Sequence, residues 1–213
     1  MVIYLIRHGQ TDWNKDHRFQ GQVATELNET GVRAAEKTRD ALKAYPIDMI
    51  LSSPLKRAVD TAKIIAEGIN VPVVIEPELI EVSFGAWEGT PIVEGSELYS
   101  GEGILPEGAA WRFRNTPFEW EGGPGGETYA DVMKRIGAFV EKLEKDEAYR
   151  DKHIVFSIHG VNGRCLLRLF MTDEEYEKYG QDFFGYPAPN CSVSILVSDE
   201  NGRRIEAVDQ VFD

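Results

Sequence analysis

The chain has 213 residues and a formal net charge of −13. That length supplies one sizeable core, and the acidic balance argues against nucleic acid and anionic membrane surfaces as partners. No stretch approaches the roughly 20 apolar residues of a membrane span, and no repeat or Pro/Gly/Ser linker divides the chain, so a single domain over 1–213 is expected.

Val2 to Ile6 is a short apolar run rich in β-branched residues, and it reads as a buried strand of a parallel sheet. It is too short for a signal peptide, and Arg7 interrupts it. Cys165 and Cys191 sit in apolar stretches outside any metal-like spacing, which reads as core thiols in a reducing, cytoplasmic compartment. Thr11 to Glu26 is polar and mixed, and reads as a loop around the mouth of a site, anchored by Trp13 and Phe19. A helical pattern runs from Val32 to about Ala44, with Asn28 or Thr30 as its N-cap. Asp48 to Ser52 is the second strand. The next helix is expected to open at Ser53-Pro54, with Pro54 in its first turn, and to stop near Gly68. Val71 to Ile75 is a third strand, and Pro72 and Pro77 assign it to an edge.

Glu76 to Gly89 is a loop. From Thr90 to Gly126 the pattern is irregular, yet it holds Tyr99, Trp111, Phe113, Phe118 and Trp120, too many large aromatics for a disordered linker. An ordered, partly helical flap over about 90–126 is expected to cover the site. A long amphipathic helix starts near Glu127, with Val132, Ile136, Phe139, Val140 and Leu143 as its apolar stripe. His153 to Ile158 is another buried strand, Asn162 to Phe170 a helix, and Asp173 to Tyr179 a short acidic helix. Cys191 to Val197 and Arg204 to Val208 read as a closing pair of strands joined by a turn at 199–202. Strands alternate with helices, so the class is α/β with a largely parallel sheet.

Two of these strands end alike, at Ile6-Arg7-His8-Gly9 and at Ile158-His159-Gly160. In a parallel sheet both carboxyl ends lie on one edge, where open α/β sheets bind ligands. Arg57, early in the helix after the second strand, opens onto the same edge. Arg7, His8, Arg57 and His159 then form a cationic pocket suited to phosphate, because guanidinium forks match phosphate oxygens. The two arginines disfavour a charged His8 and so keep its imidazole a nucleophile near pH 7. The leaving alkoxide needs a proton, and Glu81 is the candidate acid, with Glu88 as its rival. His17 reads as a loop residue and His153 as the start of a strand.

Leu5-Ile-Arg-His-Gly-Gln-Thr-Asp-Trp-Asn14 resembles the signature of the histidine phosphatase superfamily, the phosphoglycerate mutase-like proteins. The similarity continues in order through Phe19-Gln-Gly21, Ser52–Ala62, Leu79–Gly89, Gly125-Gly-Glu-Thr128 and Ser157-Ile-His-Gly160. The resemblance implies a three-layer α/β/α sandwich with a mostly parallel central sheet. It implies a phosphohistidine on His8, with Arg7, Arg57 and His159 holding the phosphoryl group and Glu81 as proton donor and later base for water. It places Asn14, Gln20 and Gly21 in the substrate pocket, and it implies no metal and no cofactor. The departures are Gln22–Leu27, where an Asp-x-Pro-Leu-Thr-like run is usual, Thr128 for the commoner Ser, and Ile158 directly before His159.

The first expectation is therefore hydrolysis of a small phosphorylated metabolite. The alternative is a phosphoglycerate mutase, whose branch resembles this chain except for a longer, basic insert. Here Arg112 and Arg114 are the only cations between Thr90 and Gly126. A third reading, an idle phospho-ligand binding module, would be marked by loss of His8 or Glu81, and both are present.

Overall fold

The computed structural model describes residues 1–92, 112–113 and 115–212. Six strands form one mixed, mostly parallel sheet: β1 (Val2–Arg7), β2 (Met49–Ser52), β3 (Val73–Ile75), β4 (His153–Ile158), β5 (Val193–Asp199) and β6 (Gly202–Gln210), in the order β3-β2-β4-β1-β5-β6. The pairs β3/β2, β2/β4 and β4/β1 are parallel, whereas β1/β5 and β5/β6 are antiparallel. The first strand thus lies at the junction of the parallel and antiparallel halves.

Side chains alternate along each strand, and helices cover both faces. On one face Ile3, Leu5 and Phe156 join the larger core with α4 (Tyr129–Lys145) and α5 (Gly160–Phe170). On the other, Tyr4, Ile6 and Val155 pack with α2 (Glu29–Leu42) and α3 (Lys56–Ile69). The expected stripe of α4 is buried throughout, from Val132 to Leu143. Each such side chain contributes roughly 1.5–3 kcal/mol on leaving water.

Several boundaries differ from the sequence reading for local reasons. Thr11 to Glu26 is not all loop: Thr11 and Asn14 cap each other reciprocally and stabilise a short helix, α1 (Asp12–Lys15). The third helix does not open at Pro54. Ser53 Oγ accepts from Leu55 N in a tight turn, and α3 starts only at Lys56. Asn28 is the N-cap of α2. Edge strand β3 begins after Pro72, which has no N–H to give, although its carbonyl still accepts from Ile50. The last pair starts later than Cys191, whose backbone is left-handed (φ 59°) and whose N–H turns aside to the Arg7 carbonyl. Both cysteines are buried and free.

Two further short helices are α6 (Asp173–Tyr179) and α7 (Gln181–Gly185). Most of the expected flap, including Tyr99, Trp111 and Arg114, lies outside the described residues. Its described end packs inward, with Phe113 and Trp120 buried against Phe84. Among the described residues, no helix is long and apolar enough to cross a membrane.

Candidate active site

The site grows from the register of β1 on β4. Arg7 pairs with Ile158, so the next residue of each strand meets its counterpart, and the rings of His8 and His159 lie 5.3 Å apart. A Cβ on Gly9 would sit 2.6 Å from the Gly31 carbonyl oxygen, so glycine is required where this turn packs backbone to backbone on α2. Gly9 N donates to Thr61 Oγ1 at 2.9 Å, and that hydroxyl donates to the Arg57 carbonyl at 2.8 Å. The end of β1 is thereby tied to α3, the helix that brings Arg57.

His8 Nδ1 lies 2.7 Å from the Gly9 carbonyl. A carbonyl only accepts, so Nδ1 carries the proton and Nε2 carries the lone pair. That lone pair accepts from Arg57 Nε at 3.2 Å. Burial, then the charges of Arg57 and Arg7, hold the imidazole pKa well below its ordinary value, so the ring is neutral at pH 7. His159 is treated similarly by burial and by Arg57. Its Nε2 lies 2.7 Å from Ser53 Oγ, while its buried Nδ1 has no partner.

Arg57 is buried and almost fully engaged. It donates to the carbonyls of Gly21 at 2.6 Å and Val23 at 2.9 Å, which fixes the turn at Gln20-Gly21. Gly21 is left-handed there (φ 52°), and a Cβ would strike the Glu88 carboxylate. Arg7 donates to the Ala188 carbonyl, and its buried Nε has no partner. Burial pulls both guanidiniums down to about 10, against the charge of Glu81.

Glu81 is buried at the amino end of α5. Its Oε1 accepts from Val82 N at 3.0 Å and Asn162 N at 3.1 Å, and its Oε2 from Val161 N at 3.1 Å. Burial nevertheless raises its pKa, outweighing these N–H groups and the charge of Arg57. The rival Glu88 is occupied elsewhere, accepting from Gln22 N and Phe84 N. His153 starts β4 and bonds Tyr4 at 3.1 Å.

Arg7, His8, Asn14, Gln20, Gly21, Arg57 and Glu81 line one cavity of 430 Å³. His159 stands against His8 without forming part of that wall. Asn14 and Gln20 are also structural, since the Oδ1 of one and the Oε1 of the other face the Thr11 hydroxyl at 3.1 and 3.0 Å. Trp13, Phe84, Phe113, Tyr129 and Phe184 make an aromatic wall, and His17 lies at the same cavity. Sequence reasoning missed Asn190, which donates to the His8 carbonyl at 2.8 Å, and Arg164, a buried cation on α5. Arg164 offered a weak signal, an arginine five residues after His159 on the helix that follows it. Asn190 offered none beyond the prolines before it. Among the described residues, no three His, Cys, Asp or Glu side chains converge as metal ligands would.

A neutral imidazole lone pair beside fixed guanidiniums, with a carboxyl whose pKa burial raises in the same cavity, suits a tetrahedral dianion and its transfer. Sequence comparison agrees with that class. A family model described as the histidine phosphatase superfamily (branch 1) matches residues 3–210, and the chain belongs to that family. It is 30% identical over 199 residues to phosphoserine phosphatase 1 of Hydrogenobacter thermophilus, covering 93% of this chain and 87% of that one. It is 34% identical over 169 residues to a probable phosphoglycerate mutase GpmB of Yersinia pestis, covering 78% and 73%. The fold superposes on a mycobacterial glucosyl-3-phosphoglycerate phosphatase in complex with VO3, with a TM-score of 0.79, 27% identity and 98% of both chains covered. The chain is an enzyme of this phosphatase and phosphoglycerate mutase-like class.

Proposed function

We propose that the chain hydrolyses phosphomonoesters of small metabolites through a phosphohistidine on His8. In the first step the Nε2 lone pair bonds to phosphorus, the ester P–O bond breaks, and the proton of Glu81 passes to the leaving oxygen. In the second, water gives its proton to Glu81 and its oxygen to phosphorus. The P–N bond then returns its electrons to Nε2, and inorganic phosphate leaves. Arg7, Arg57 and His159 hold the equatorial oxygens, and Asn14, Gln20 and Gly21 shape the pocket beside them. Glu81 Oε2 accepts one N–H where Oε1 accepts two, which leaves it the better seat for the proton.

The observation that carries this reading is the single tautomer of His8, fixed by the Gly9 carbonyl with its lone pair beside Arg57. Relatives named as phosphatases of phosphoserine and of glucosyl-3-phosphoglycerate support a small phosphorylated metabolite as substrate. Hydrolysis is favoured over mutase chemistry because only Arg112 and Arg114 between Thr90 and Gly126 could grip a second phosphate, and Arg112 is exposed. The test is phosphate release from a panel of phosphorylated metabolites in the presence of a chelator, for wild type and His8→Ala. Release that requires His8 is expected. Interconversion of phosphoglycerate isomers with a bisphosphate primer, without release, would make the chain a mutase instead. Tight ester binding with neither reaction would make it a binding module.

A further inference from the structure

The motif Gly125-Gly-Glu-Thr128 takes no part in the phosphoryl transfer, yet it is built against the segment that carries Glu81. That segment is irregular apart from 3-10 turns at Pro77–Leu79 and Gly85–Trp87, so its carbonyls lack ladder partners. Side chains from elsewhere fill four consecutive carbonyls. Arg135 Nη1 donates to Glu78 O at 2.6 Å and Ile80 O at 2.8 Å. Asn162 Nδ2 donates to Leu79 O at 2.9 Å and Ile80 O at 2.7 Å. Gln22 Nε2 donates to Glu81 O at 3.0 Å. Half-buried Glu127 joins these donors: it accepts from Ser83 N at 2.9 Å, from Gln22 Nε2 at 3.4 Å and from Arg135 Nη2 at 3.3 Å. Its own N–H returns to Ser83 O at 2.8 Å.

We infer that Glu127 is a positioning residue which, through Arg135, Gln22 and Ser83, holds Glu81 where it can protonate the leaving oxygen. The inference rests on Glu81 being the acid. A buried carboxyl on an irregular segment would otherwise turn to water, and a misplacement of about 1 Å costs on the order of 100-fold in rate.

Two esters separate this role from simple stability: p-nitrophenyl phosphate, whose phenolate leaves without a proton, and glycerol 3-phosphate, whose alkoxide does not. The readout is the single-turnover rate of ester cleavage, so that the second chemical step does not enter. Glu127→Gln keeps the shape and loses the charge that holds Arg135. It is expected to slow the alkyl ester about 10- to 100-fold and p-nitrophenyl phosphate less than about threefold. Gln22→Met removes one bond to the Glu81 carbonyl and is expected to give the same split, smaller. Glu81→Gln is the reference. If it shows the split while Glu127→Gln and Gln22→Met slow both esters equally, or neither, the positioning role is wrong and the acid assignment stands. If Glu81→Gln itself slows both esters equally, the acid assignment fails and the positioning role falls with it.

Discussion

The ends of β1 and β4 carry nearly the same residues and are put to different uses. After β1 the chain enters a turn, and His8 is locked into one tautomer by the carbonyl of the next residue. After β4 the chain passes directly into α5, His159 serves as its N-cap position, and the ring is held by a hydroxyl from another strand end, Ser53. A carbonyl admits one proton arrangement; a hydroxyl can donate or accept. The first histidine is therefore a committed lone pair. The second has an unfilled buried nitrogen, suited to hold a group that arrives. Neither difference is written in the two His-Gly pairs; each comes from the element the strand runs into, a turn after β1 and a helix after β4.

The largest test of this contrast is to remove each ring. His8→Gln is expected to lower kcat by about 10⁴-fold or more, the scale on which loss of a nucleophile is felt, and His159→Gln by about 10²–10³-fold, the scale of one lost oxyanion donor. Equal losses would erase the distinction. Rapid quench into alkaline detergent, with a labelled ester, reads the same contrast qualitatively. An acid-labile, base-stable phosphoenzyme is expected in wild type and His159→Gln, and none in His8→Gln.

A second test uses protons. Both rings have pKa values below the ordinary 6.5, chiefly through burial. As pH falls through 6.5 the unfolded chain takes up protons that the folded chain refuses. Their stabilising contribution is thus full above 6.5 and is lost as pH falls toward the folded values. Each histidine contributes about 1.4 kcal/mol per pH unit while only the unfolded state titrates. Glu81 acts oppositely, since its raised pKa gives stability that is present below 4.5 and lost as pH rises through the folded value. Two groups outweigh one, so urea unfolding is expected to show stability falling from pH 6.5 to 5.5, less steeply in His8→Gln. A flat profile would mean that the rings accept protons in place. For activity the sign is the same: the acid limb of kcat/KM, set by His8, is expected below 6.5.

Much of this arrangement was legible in the sequence because it depends on strand ends. Arg7-His8-Gly9, Ser53 to Arg57 and His159-Gly160 each come after an apolar run, and a parallel sheet gathers such ends on one edge. Glu81 was a candidate from its place in the loop after the third strand, but nothing in an irregular loop says which carboxyl faces the cavity; Glu81 does, whereas Glu88, seven residues later, turns to Gln22 N and Phe84 N. The helix of Asp12–Lys15 was missed because its cap pair, Thr11 and Asn14, sits in a polar run with no apolar periodicity. Asn190 reaches the site from the last third of the chain through tertiary packing alone, and Arg164 was marked only by its spacing of five residues from His159.

The smallest test leaves both rings in place and loosens the groups that orient them. Ser53→Ala removes the partner of His159 Nε2, and that buried nitrogen is then unsatisfied. Thr61→Val removes the acceptor of Gly9 N, next to the carbonyl that fixes His8, and frees the Arg57 carbonyl from the same hydroxyl. Each change costs about 1–2 kcal/mol of stability by the usual scale of one buried polar group left unpaired. Their effects on activity should differ. Thr61→Val lets the His8 turn and Arg57 shift together, so formation of the phosphoenzyme is expected to slow by several-fold with little change in KM. Ser53→Ala frees His159, whose assigned partner is the bound phosphoryl group, so KM for phosphate esters and the Ki for inorganic phosphate are expected to rise together by a similar factor. If the two variants shift kcat and KM in the same proportion, the histidines act as one unit, and the separate uses drawn from their partners would have to be given up.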